Sequence, residues 1–229
     1  MRTLLSARRT IAFSVLAVRA FVVLAVITGC TEIDAPPARI PPPVVTLRIG
    51  DVWDDVQRNS TMKVGPLPER AGTTIYTPHT FVYRDARHPM RFDDVWRLKV
   101  MTASDEMRLP VRALDIHPYP GAAGIDETWR RLVEVVKLVN ASGWTANQEI
   151  ESRYPPARSV AELRKIYAGV SAGTSVLERA WYDDQDNEAM IFLNRPVERR
   201  WLATDDDPQF ELVLRVQQAP YPRVRPRAR

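Results

Sequence analysis

The residues with most chemical promise are a serine between glycines, three histidines and two aspartate-rich runs. Gly169-Val170-Ser171-Ala172-Gly173 matches the G-x-S-x-G turn, in which a strand runs into the serine and a helix leaves it. The surrounding pattern is the reverse: a helix should end at Gly169 and a strand begin near Val176. A hydrolase of this type also needs a histidine after the serine, whereas His79, His88 and His117 all precede it. The hydrolase reading is excluded, and Gly169 reads as a helix exit. His79 and His88 stand beside Pro78 and Pro89, off the i, i+4 spacing of a helical metal pair, and read as ordinary surface histidines. The acidic run from Asp183 to Glu188 is no calcium loop: Ala189 falls where a loop starting at Asp184 needs glycine, and Arg195 where it needs glutamate. No metal, cofactor or catalytic residue is expected.

The acidic run reads instead as the solvated tip of a hairpin, with Asp186-Asn187 suited to the turn. If a short strand lies near Arg199–Ala203, successive turns alternate ends of the sheet, bringing Asp205, Asp206 and Asp207 beside Asp183, Asp184 and Asp186. Those six aspartates would make a negative patch for a basic partner surface. Of the six tryptophans, Trp96 and Trp129 sit at core-facing spacing, and Trp144 follows Gly143 where a helix C-terminus often makes an apolar contact. Trp181 and Trp201 are the expected exposed pair, and join the aspartates as candidate partner-binding residues.

The elements that must carry these residues are mixed. Gly50–Asn59 reads as a short helix, with Asp51 near its N-cap and Val52, Trp53 and Val56 on one face. Thr73–Arg84, Val95–Thr102 and Val111–His117 read as strands, the first broken or pushed to an edge by Pro78. The clearest helix is Glu127–Ser142, started by Asp126, stopped by Gly143, and apolar at Trp129, Leu132, Val133, Val136 and Val139. Beyond Pro155 and Pro156, Ser159 and Glu162 form a capping box for a helix to Ala168. Val176–Tyr182, Ala189–Asn194 and Phe210–Gln217 complete the strands. This order predicts an α+β fold of antiparallel sheet with about three helices. Two helix-plus-meander halves, ending in His117-Pro118-Tyr119-Pro120 and Ala219-Pro220-Tyr221-Pro222, hint at a duplication.

Charge then separates body from ends. Of 32 Lys+Arg, four arginines precede position 30 and four crowd the last seven positions, leaving 24 against all 28 Asp+Glu in the body. The body is mildly acidic, so the basic pI of 9.4 does not argue for nucleic acid. Arg2, Arg8 and Arg9 lead into the apolar run Ala20–Ile27, too short to span a bilayer but long enough for a signal peptide. Ile27-Thr28-Gly29 then precede Cys30, the one cysteine of the chain. Five prolines between Thr31 and Val45 favour an extended tether, reaching about 40 Å at ~3.1 Å per residue. The expected organisation is a signal peptide over 1–29, Cys30 and a tether over 30–45, one globular domain over 46–218, and a basic tail over 219–229.

The segment through Cys30 resembles the lipobox of bacterial lipoprotein precursors. That resemblance implies cleavage before Cys30 and acylation of that cysteine as the mature N-terminus, anchoring the chain to a membrane. Thr31, where an aspartate would signal inner-membrane retention, implies the periplasmic face of the outer membrane. The lipobox, the tether, Asp51-Val52-Trp53 and the Gly143-Trp144 helix exit are similar to immunity lipoproteins of interbacterial toxin systems. The resemblance implies a non-enzymatic protein that binds a protein partner, a toxic effector. Ile49-Gly50 before a short helix also resembles accessory lipoproteins of outer-membrane assembly, whose partner would be an envelope component. An envelope enzyme is the remaining alternative.

Overall fold

The computed structural model describes residues 41–65, 72–103, 110–197 and 208–220. The signal peptide, Cys30, residues 31–40 of the tether, Arg199–Ala203, Trp201, Asp205–Asp207 and the arginines of the tail lie outside the described residues; the fold already begins within the expected tether, at the strand Val44–Leu47. The described residues form four helices and ten strands in two sheets, an α+β fold.

The smaller sheet has the order β1 (Val44–Leu47), β3 (His79–Tyr83), β4 (Met90–Val95), with β1 parallel to β3. The outer edge of β1 is blunted by side chains: Thr61 Oγ1 accepts from Val44 N at 2.8 Å and Ser60 Oγ from Thr46 N at 3.0 Å. Helix α1 (Trp53–Asn59) packs against β1 through buried Trp53 and Val56, three residues apart on one face. Its N-cap is Val52, with no side-chain cap, because Asp51 is committed elsewhere. The Asp51 carboxylate accepts from Arg48 N at 2.9 Å and from Arg84 Nη2 at 3.2 Å, tying the turn before α1 to the end of β3.

Two expected strands are each divided between sheets. Thr73–Arg84 becomes β2 (Gly72–Ile75) in the larger sheet and β3 in the smaller one, with Pro78 at the crossing. Val95 ends β4, while Arg97–Thr102 form β5 in the larger sheet. Asp94, at φ +60°, turns the chain there, and Trp96 sits at the corner. Proline breaks the first ladder; the second break carries no proline or glycine, and alternation alone runs straight through it.

The larger sheet has the order β2-β5-β6-β10-β9-β8-β7, with β6 Val111–His117, β7 Thr145–Ala146, β8 Ser175–Tyr182, β9 Asn187–Asn194 and β10 Glu211–Gln218. All its pairings are antiparallel. Register places Leu98, Ile116, Leu214 and Ile191 side by side across four strands, and all four are fully buried. Helix α2 (Ile125–Ala141) contacts β10 and buries Ile125, Thr128, Leu132, Val135 and Val139 at alternating spacings of three and four. Trp129 and Val136 are only partly buried, so the buried face is rotated from the expected one. Asp126 lies in the first turn and pairs with Arg164 rather than capping; Gly124 is the N-cap. Gly143 takes φ +79° after the helix, the left-handed exit its sequence position predicts.

Helix α3 (Gln148–Arg153), with Asn147 Oδ1 accepting from Ile150 N, brings the helices to four; six residues with no apolar period gave no sign of it. Helix α4 (Val160–Tyr167) begins as expected, with Ser159 Oγ accepting from Glu162 N at 3.2 Å. Glu162 reaches back to Arg158 N at 2.7 Å. The two halves are not built alike: β1 to β6 divide between sheets, whereas β7 to β10 all join one. The suggested duplication has no counterpart in this topology.

Candidate functional site

Two of the charged regions bear on a partner site, the turn joining β8 to β9 and the face of the larger sheet turned away from the aliphatic row. The first is where the sequence placed a partner-binding patch. Asp183 is only 4% exposed, and it is spent on the turn. Its Oδ1 accepts from the backbone N of Gln185 and of Asn187, both at 2.8 Å, and its Oδ2 from Asn187 Nδ2 at 2.7 Å. Asp186 holds φ +62°, a left-handed position that aspartate tolerates better than most residues. Asp184 pairs with Arg87 and lies 3.5 Å from His88 Nε2.

Trp181 corrects the expected exposed pair. It is buried, pairs in register with Ala189 and Ala146, and donates from Nε1 to Asn140 Oδ1 at 2.8 Å. An alternating strand cannot show which of its faces meets a helix, and Trp181 lies on the covered one. Trp201 and Asp205, Asp206 and Asp207 lie outside the described residues.

The histidines also depart from a surface reading. His79 is fully buried, with Nδ1 donating to Thr77 O at 2.7 Å, and burial holds its pKa below the ordinary 6.5. His88 packs its ring 5.5 Å from that of Trp144, and its Nδ1 lies 3.3 Å from Ser142 O at the end of α2. Asp85, buried, accepts from Arg87 N and His88 N and holds this loop in shape. Ser171 stands in the exposed turn between α4 and β8, so the helix-to-strand order expected around it is the one present.

The second region is a groove of about 390 Å³, lined by Thr74, Arg97, Lys99, His117, Phe192 and Arg215 among others. It draws on six neighbouring strands, from β2 to β8. Register explains its contents. Lys99 and Arg215 both stand opposite Asp115, giving the row Lys99–Asp115–Arg215, and Arg97 stands opposite His117. Each is next in its strand to a core-facing aliphatic residue, as Lys99 is to Leu98, Asp115 to Leu114 and Arg215 to Leu214, so strand alternation puts the charge on the opposite face.

Within the groove, Arg215 grips Asp115 through two bonds, Nε to Oδ1 at 2.6 Å and Nη2 to Oδ2 at 3.0 Å. The Arg215 guanidinium also lies 5.4 Å above the Phe192 ring. Arg97 Nη2 donates to Glu211 Oε1 at 2.9 Å, and His117 Nδ1 lies 3.1 Å from the same oxygen. A guanidinium only donates. Both nitrogens bond the carboxylate when His117 carries its proton on Nδ1. Trp96 packs edge-on against His117 and beneath Arg97, bracing both. Burial pushes the Glu211 carboxyl up, but the hydrogen bond and charge of His117, with Arg97, outweigh it and hold the group below 4.5.

The cations of the groove retain capacity. Arg97 donates through Nη2 alone, and Arg215 leaves Nη1 uncommitted. Lys99 is exposed and pairs with none of the described residues. Arg97, Lys99 and Arg215 against Asp115 and Glu211 give the groove a cationic excess on an otherwise acidic body. Such a surface can take an anionic group.

None of these residues stands out in the sequence. Their signal was polar residues alternating with aliphatics in β5, β6 and β10. Reading it as a site requires knowing that these strands, more than a hundred positions apart in places, lie adjacent. Among the described residues, no three His, Cys, Asp or Glu are arranged to hold a metal ion. Comparison of the chain with protein-family models, curated proteins and solved structures gives no match.

Proposed function

We propose that the chain is a lipid-anchored envelope protein whose folded body binds a protein partner, and that it neutralises a toxic effector reaching the periplasm. The observation that carries this reading is Cys30, the one cysteine of the chain, placed directly after an apolar run and Ile27-Thr28-Gly29. Five prolines follow it and lead into the fold, a segment suited to hold the body clear of the lipid surface. Acylation through more than one chain would make attachment lasting, since each buried methylene contributes only ~0.8 kcal/mol. The groove adds support of another kind, because fixed charges with unspent donors on a rigid sheet suit recognition by complementarity. In this reading the body works by binding, without turnover.

Co-expression with a periplasm-directed effector from the neighbouring gene tests the proposal. Protection by the wild type, lost when Cys30→Ala blocks acylation, is the expected result. Equal killing with and without the wild-type protein would overturn it. A permeability defect on deletion, with no effector present, would favour the assembly-factor reading instead.

A further inference from the structure

We infer that the partner's contact is an acidic segment laid across the cationic groove of the larger sheet; this deepens the partner-binding reading and rests on it. Charge complementarity carries the inference. The body has a net charge of −4 between Cys30 and Ala219, yet Arg97, Lys99 and Arg215 line this groove with Asp115 as the one carboxylate among its lining residues and Glu211 at its rim. Long-range repulsion would turn an acidic partner away from such a body except where cations gather.

The cations are also placed to bond, not only to attract. Asp115 and Glu211 hold Arg215 and Arg97 in fixed orientations while leaving part of each guanidinium unspent. Lys99, beside Asp115 in register, adds a mobile ammonium. Preorganised donors lose little freedom on binding, so carboxylates arriving here meet a site already in shape. Phe192 and Val213 lie among the lining residues and supply apolar floor between the charges.

The dimensions fit an extended chain. Six strands at ~4.8 Å spacing span roughly 24 Å, the length of about seven extended residues. The turn between β8 and β9 offers no equivalent, because Asp183 is spent on its own backbone and Asp184 on Arg87.

Fluorescein-labelled heptaglutamate, titrated into the full acylated chain in a nonionic detergent and read by anisotropy, is the test. Binding should be saturable, weaken with salt, and fall about tenfold in Lys99→Glu. Lys99 is exposed, so this variant keeps the fold, which circular dichroism verifies; Lys99→Gln should show an intermediate loss. Equal binding of heptalysine, no binding at all, or unchanged affinity in both variants would overturn the inference. Self-association that the peptide does not disturb, with this face buried between two copies, would overturn it too. The two proposals separate cleanly. Peptide binding that depends on Lys99 with no protection from the effector leaves the groove standing and removes the immunity reading. Full protection by Lys99→Glu does the opposite.

Discussion

The turn between β8 and β9 and the groove of the larger sheet are both charged, yet their side chains are spent differently. In the turn, Asp183 is buried and accepts three hydrogen bonds within five residues of chain. In the groove, carboxylates and guanidinium groups from strands distant in sequence meet on one face, and the cations keep donors in reserve. A cluster of like charges in sequence marks a place where the chain needs acceptors for its own backbone. A surface whose cations keep donors in reserve is assembled from residues that sequence keeps apart.

That contrast can be broken at either end. The largest effect should come from Asp183→Ala, which strips acceptors from two backbone N–H groups and an amide. The expected loss is about 3 kcal/mol, a fall in Tm of about 10 °C. A change within the error of thermal melts would mean that the turn is not held as described.

Glu211 gives the next effect, through pH. Its folded carboxyl titrates below the ordinary 4.5, so it contributes stability that is present above that value and lost as pH falls through the folded pKa. Denaturant melts of the wild type and Glu211→Gln should therefore differ most at neutral pH and converge in acid. A gap that widens below pH 4.5 would contradict the Arg97–Glu211–His117 arrangement. The smallest effect belongs to Asp184→Asn. Its ion pair with Arg87 is solvent-screened, Asp184 being 42% exposed, and the cost should stay within about 0.5 kcal/mol. A loss above about 1 kcal/mol would show that this pair, too, is structural.

Much of the fold was legible because its signals are local. Ser159 and Glu162 set the start of α4, Gly143 stops α2, and Pro78 breaks the long strand expected there. What escaped was every feature decided by tertiary packing. Trp181 alternates as well as any residue in β8, but only the position of α2 decides that its face is the buried one. The corner at Trp96 carries no breaker residue, so a single strand was the natural reading. The groove was least legible of all. Lys99, Asp115 and Arg215 meet only because β6 lies between β5 and β10, an order that no run of residues records.

The proposal places an acidic partner segment at the groove and not at the turn. Heptaglutamate affinity, measured side by side for Lys99→Glu in the groove and Asp184→Asn at the turn, tests this most directly. The account predicts about a tenfold loss in the first and a change of less than about twofold in the second. Unchanged affinity in Lys99→Glu, together with a large change in Asp184→Asn, would contradict it.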